Sequence, residues 1–167
     1  IYTQPDSALF FAKQAVQTAE QSDFNKGKAL SLDIIGIYHQ NRSDFEEAEF
    51  CYSQSLQLRI ELNDQKLIAK SYNNFGVLNR RKGDFNKAKE YFLKSFEISK
   101  AENDTTALSM VYNNLGLVNE NLGNYDEALN YHFLSLKERE KLGEQLQIAS
   151  SLNNIGNVYI ALNKYEK

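Results

Sequence analysis

The sequence predicts an all-α solenoid of antiparallel helix pairs, and three observations carry that prediction. Gly36, Gly76, Gly116 and Gly156 recur with a period of 40, so the chain is a tandem repeat. One proline, Pro5, interrupts a chain otherwise rich in Ala, Leu, Glu, Lys and Gln, all good helix formers. Within each period the apolar residues recur at helical spacing, for example Tyr112, Leu115, Gly116 and Val118, then Tyr125, Ala128, Leu129, His132 and Leu136.

The elements follow in order from local signals. A helix over 6–22 is the second of a pair, since Ala8 and Ala15 hold the phase that Ala48, Ala88 and Ala128 and then Ser55, Ser95 and Ser135 hold later. First helices are expected near 26–42, 66–82, 106–122 and 146–162. Second helices follow near 45–62, 85–102 and 125–142, each opened by Phe45, Phe85 or Tyr125, with Tyr165 next in that column. Within a pair, "KGDFNKA" and "LGNYDEA" supply the turn: Gly83 and Gly123 suit a left-handed helix end, and Asn124 or Asp126 suits the following cap. Between pairs, Asn63-Asp64 and Asn103-Asp104 mark the turn. The chain thus divides into a partial repeat (1–22), three repeats (23–62, 63–102, 103–142) and the first helix of another (143–167). Glycine inside a helix costs roughly 1 kcal/mol against alanine, so Gly36, Gly76, Gly116 and Gly156 need a structural reason. With Ala48, Ala88 and Ala128 on the partner helix, the expected reason is close approach of two helix axes.

Composition excludes several classes. A net charge of −3 and a pI near 5.5 give no general attraction for nucleic acid. No apolar run approaches the roughly 18 residues that span a bilayer, so no membrane contact is expected of this segment. Cys51 is the single cysteine; it favours a cytoplasmic chain and does not exclude a periplasmic one, if the array is part of a sensor kinase. His39 and His132 lie far apart and occupy aromatic positions of the repeat. They are expected to pack half-buried, and no cofactor, metal or catalytic group is expected. Glu46, Glu47 and Glu49 form a solvated face.

These residues resemble the tetratricopeptide repeat family. Tyr72-x2-Phe75-Gly76-x2-Asn79 with Ala88-x3-Phe92, and Tyr112-x2-Leu115-Gly116-x2-Asn119 with Ala128-x3-His132, follow its W-x2-L-G-x2-Y and A-x3-F pattern. The period of 40 in place of 34, and the missing closing proline, look like the long-repeat subclass of kinesin light chain and GoLoco-binding scaffolds, or arrays ahead of bacterial sensor kinases and regulators. The resemblance implies a right-handed superhelix whose first helices line a concave groove that binds a peptide or protein segment. It also implies a groove position for the pairs Asn73-Asn74, Asn113-Asn114 and Asn153-Asn154. Asparagine is a poor helix residue, and a column of amides can hold an extended peptide backbone; the plain alternative is that the pairs only tie neighbouring helices. Lys70, Arg80, Asp33 and Glu120 supply mixed charge, and Ile37, Val77 and Leu117 an apolar line that Asn157 ends. The family's lysine–asparagine–arginine carboxylate clamp is matched at one position in either register, Asn74 or, one repeat further on, Asn114, so a C-terminal carboxylate is not the expected ligand.

The functional expectation is a non-catalytic interaction scaffold. Alternatives from other classes are a sensory or regulatory module of a larger signalling protein, and a structural spacer. Ile155, Val158, Tyr159 and Leu162 are expected to lack a partner helix, which predicts a piece of a longer protein and self-association through that end.

Overall fold

The computed structural model describes residues 4–162, and Tyr165 lies outside them. Eight helices and no strand occur among the described residues: α1 (Gln4–Gln21), α2 (Asn25–Asn41), α3 (Phe45–Glu61), α4 (Gln65–Lys82), α5 (Phe85–Ala101), α6 (Thr105–Asn121), α7 (Tyr125–Leu142) and α8 (Gln145–Ala161). The predicted helix ends agree with these bounds to a fraction of a turn. Each helix packs on the one before and the one after it, which builds a helical repeat solenoid.

The turns repeat twice as often as the sequence motif. One residue with positive φ follows each helix from α1 to α7, at Asp23, Ser43, Asn63, Gly83, Asn103, Gly123 and Gly143, so that every repeat holds two such turns. The next residue's N–H donates back into the helix just ended, as Asp64 does to the Arg59 carbonyl (3.2 Å) and Asn124 to that of Asn119 (2.8 Å), which satisfies carbonyls the helix end leaves open. Asp64, Asp84 and Asp104 then cap the following helix by accepting from the N–H of Leu67 (3.1 Å), Lys87 (3.1 Å) and Ala107 (3.0 Å). Asn124, expected to do the same, makes no cap bond; its amide donates to Asn119 Oδ1 (3.5 Å).

The glycines serve a different contact from the one expected. A Cβ on Gly36 would strike the Tyr52 ring, one on Gly76 the Phe92 ring, and one on Gly116 the His132 ring. Each glycine is the floor on which the ring of the partner helix rests. The fully buried Ala48, Ala88 and Ala128, one turn before those rings, let the ring reach it. The outer sides of two of these rings are covered by the next pair: Phe92 clusters with Val111, Leu115 and Val118, and Tyr52 with Phe75 and Leu78. Gly156 meets nothing within 4 Å among the described residues. A second bond locks each pair, because Ser55, Ser95 and Ser135 donate to the backbone carbonyls of Ala29 (2.9 Å), Ala69 (2.8 Å) and Ser109 (2.8 Å). Ile155 and Val158, expected to want a partner, are buried, and α8 packs on α7; Leu146, Leu152, Tyr159 and Ile160 are the exposed large apolar residues of α8.

Candidate functional site

The first helices α2, α4, α6 and α8 form one layer of the solenoid, and α4 and α6 touch each other directly. Across that layer the asparagines make a ladder. Asn114 Nδ2 donates to Asn73 Oδ1 (2.8 Å), joining α6 to α4, and Asn154 Nδ2 donates to Asn113 Oδ1 (3.0 Å), joining α8 to α6. The second asparagine of each pair thus reaches back to the first asparagine of the pair before. Asn73, Asn74, Asn113, Asn114 and Asn154 are half-buried and Asn153 is exposed. Each bonded amide spends one side of itself on its neighbour and keeps the other, the Nδ2 of Asn73 and the Oδ1 of Asn154 for example.

The ladder stops at Asp33, which holds the place of the first asparagine in α2. Sequence position puts Asp33 among the groove charges; the structure buries it instead. Its oxygens accept from Ser55 Oγ (2.8 Å) and from Arg59 Nη2 (2.6 Å), in an ion pair with Arg59 fully buried. With Asp33 so engaged, Asn74 Nδ2 is buried without a partner. Ile34 replaces the second asparagine in α2 and is exposed, as are Leu30 and Ile37, so this end of the layer is apolar. Val77 and Leu117 continue the line half-buried, and Asn157 ends it exposed. Lys70 is exposed. Arg80 is half-buried with its Nε unpartnered; burial first, and then Arg81, work against its positive charge, while Glu120 supports it.

Three residues at one position of the repeat distinguish the seams between pairs, and sequence reasoning missed them. Arg59 also donates to Ser71 Oγ (2.6 Å), and Arg139 donates to Ser151 Oγ (2.7 Å) and the Gln147 carbonyl (2.8 Å). Midway between the two arginines, one full repeat from each, stands Ser99, buried with its hydroxyl unpartnered. Val111 takes the place of Ser71 and Ser151 in that repeat. The signal was available: Arg-x11-Ser occurs at 59–71 and 139–151 and is broken at 99–111.

Other polar groups serve packing. His132, expected half-buried, is wholly buried and bonds Glu120 Oε1 (2.7 Å). Tyr52 makes the matching bond to Gln40 Oε1 (3.2 Å), and burial first, then the Asp33 charge, push its phenol well above the ordinary range. His39 lies 3.3 Å from Asp44. Burial pushes the Cys51 thiol up, with Lys13 pulling the other way, so the inert thiol dominates. Among the described residues no group of His, Cys, Asp or Glu could hold a metal ion, and no helix is long and apolar enough to cross a membrane.

A family model for the tetratricopeptide repeat matches residues 27–101 and 107–167. The chain belongs to the tetratricopeptide repeat family, a fold that is typically non-catalytic and that fits a protein-interaction module. Among solved structures, the chain is similar to BtubC (BKLC) from P. vanneervenii, with a TM-score of 0.84 at 22% identity over 96% of this chain and 67% of that one. It is similar also to a Rap protein complexed with Competence and Sporulation Factor (TM-score 0.82, 18% identity, 96% of this chain, 48% of that one). A third is a Podosopora anserina protein of kinesin-light-chain type with nearly identical TPR-like repeats (TM-score 0.71, 14% identity, 98% of this chain, 81% of that one). No curated protein matches the chain.

Proposed function

We propose that this array is a scaffold that binds an extended peptide or protein segment along the layer of first helices, with the asparagine ladder holding the segment's backbone. The observation that supports this most directly is the half-spent state of the amides. In Asn73 and Asn114, and in Asn113 and Asn154, one amide group of each pair is tied across the helices while donors and acceptors remain on half-buried side chains. The interhelix bonds hold the amides in place, so a ligand meets groups already ordered. Arg80, Lys70 and Glu120 add mixed charge, so binding should weaken only mildly with salt.

The test uses a decapeptide selected from a random phage-displayed library against the chain. Asn74, Asn114 and Asn154 replaced together by Ala remove three neutral hydrogen-bonding groups, at about 0.5–1.5 kcal/mol each, and should weaken binding roughly tenfold to a thousandfold per folded molecule. Asn73→Ala with Asn113→Ala removes the same two interhelix bonds from the acceptor side. If both variants melt lower and neither changes affinity per folded molecule, the ladder only ties helices and the groove reading is wrong.

A further inference from the structure

The seam between the second and third pairs is built differently from its neighbours. Shifted by whole repeats, the partners of Arg59 (Asp33, Ser71) and of Arg139 (Gln147, Ser151) become Asn73, Val111 and Ala107. All three line one cavity of about 200 Å³ between α4 and α6. The cavity therefore occupies the space that an arginine fills in the flanking seams, and Ser99 is the residue too short to fill it. Its chemistry also differs from theirs. Val111 has removed the hydroxyl that accepts from the arginine, and Leu67, Ala107 and Met110 complete an apolar wall. Val111 and Ser95 are buried at the floor, while Met110, Lys66 and Lys70 are exposed at the mouth.

The mouth is basic for the same reason of register. In the first seam Lys26 pairs with Asp64 (3.2 Å), the cap of α4. The corresponding pair here is Lys66 and Asp104, and neither Lys66 nor Lys70 stands within ion-pair distance of any carboxylate among the described residues. Asp104 lines the same mouth and accepts from the Ala107 N–H through Oδ1, so the two lysines there outnumber one carboxylate.

The geometry points to this cavity as a specificity pocket that admits one bulky apolar side chain of the bound segment, with a carboxylate beside that side chain meeting Lys66 and Lys70. Apolar walls exclude a second arginine: a guanidinium here would find neither the carboxylate of the first seam nor a serine hydroxyl at position 111, and would face two lysines. An apolar group of leucine or phenylalanine size buries its surface against the floor, and the unpaired lysines favour an acidic neighbour. This pocket rests on the groove reading above, since it selects a residue of the segment that the asparagines hold.

The probes are three fluorescein-labelled decapeptides in one Ser/Asn host, with the central triplet Asp-Phe-Asp, Lys-Phe-Lys or Asp-Ser-Asp. Binding is followed by anisotropy and by the methyl resonances of Val111, Ala107 and Met110. Asp-Phe-Asp should bind at least tenfold tighter than either other peptide and should shift those methyls. Ser99→Arg with Val111→Ser places the flanking arginine–serine pair inside the cavity; it should melt lower than the parent, since no carboxylate accompanies the guanidinium, and per folded molecule it should lose the preference for phenylalanine. Lys66→Glu with Lys70→Glu should reverse the order of the two phenylalanine peptides and leave the fold untouched. Equal binding of all three peptides, no methyl shift, or an unchanged preference in the filled variant overturns the pocket. If in those cases binding still depends on Asn74, Asn114 and Asn154, the groove reading survives; if no peptide binds, the pocket fails with it.

Discussion

Two kinds of seam hold this solenoid together, and they are made to different rules. Inside a pair, the contact is the same three times over: a ring rests on a glycine, and a serine donates to a carbonyl of the preceding helix. Between pairs, each seam is its own. The first holds a buried Arg59–Asp33 ion pair bonded to Ser71, the second holds Ser99, Val111 and a cavity, and the third holds Arg139 on Ser151 without a carboxylate. The difference teaches where a repeat protein can vary. The inside of a pair has no slack, because a glycine under a ring admits no other side chain. The seam between pairs is wide enough to take a buried arginine or to leave a cavity, and that is where the copies have diverged.

The largest expected effect breaks the first seam. Arg59→Ala leaves Asp33 buried and uncompensated and should destabilise by about 3–5 kcal/mol, while Ser99→Ala at the corresponding place should change stability by about 0.5 kcal/mol or less. Chemical denaturation of the two variants side by side measures the contrast. Equal losses would mean that the seams do not differ energetically.

The next effect sharpens the rule inside the pair. Gly76→Ala drives a methyl into the Phe92 ring and should cost about 1–3 kcal/mol, as overpacked cores do. Gly156→Ala, with nothing in contact among the described residues, should instead gain about 1 kcal/mol from helix propensity. Opposite signs in thermal melts would confirm that the ring makes the demand; a gain at both would remove it.

The smallest effect concerns a turn between pairs. Burial alone would raise the Asp64 carboxyl, but the Leu67 N–H and the ammonium of Lys26 outweigh it and hold its pKa below the ordinary range. A group whose folded pKa is depressed contributes stability above its unfolded pKa and loses it as pH falls through the folded value. Asp64→Asn should therefore cost stability at neutral pH and show a shallower loss than the parent on acidification below about pH 4. Parallel loss in both chains would mean the carboxylate is not what responds.

Much of this was legible in the sequence, and the parts that were not share a cause. Helix bounds follow from the period, because Gly83, Asn103 and their counterparts punctuate the chain wherever φ turns positive. The ring on Gly76 was not legible: positions 76 and 92 share no pattern in a single helix, and only the pairing of α4 with α5 brings them together. Asp33 reads as a groove charge in the sequence because its partner Arg59 lies in another helix, far along the chain. Of the candidate site, the pairs Asn73-Asn74 and Asn113-Asn114 were legible as a column. Their bonds to one another were not, since each joins positions offset by one from the repeat period and appears only when helices stand side by side.

The uniform turn has a consequence for the history of the gene. Every joint from Asp23 to Gly143 has one left-handed residue and the same backbone bond into the helix before it, whether the residue is Asp23, Ser43, Asn63 or a glycine. Unequal crossing-over between any two joints one full repeat apart would leave a reading frame whose new junction is already a working turn. The array can lengthen or shorten by whole helix pairs without inventing a loop, while mutation at the seams gives each new copy its own set of buried polar groups.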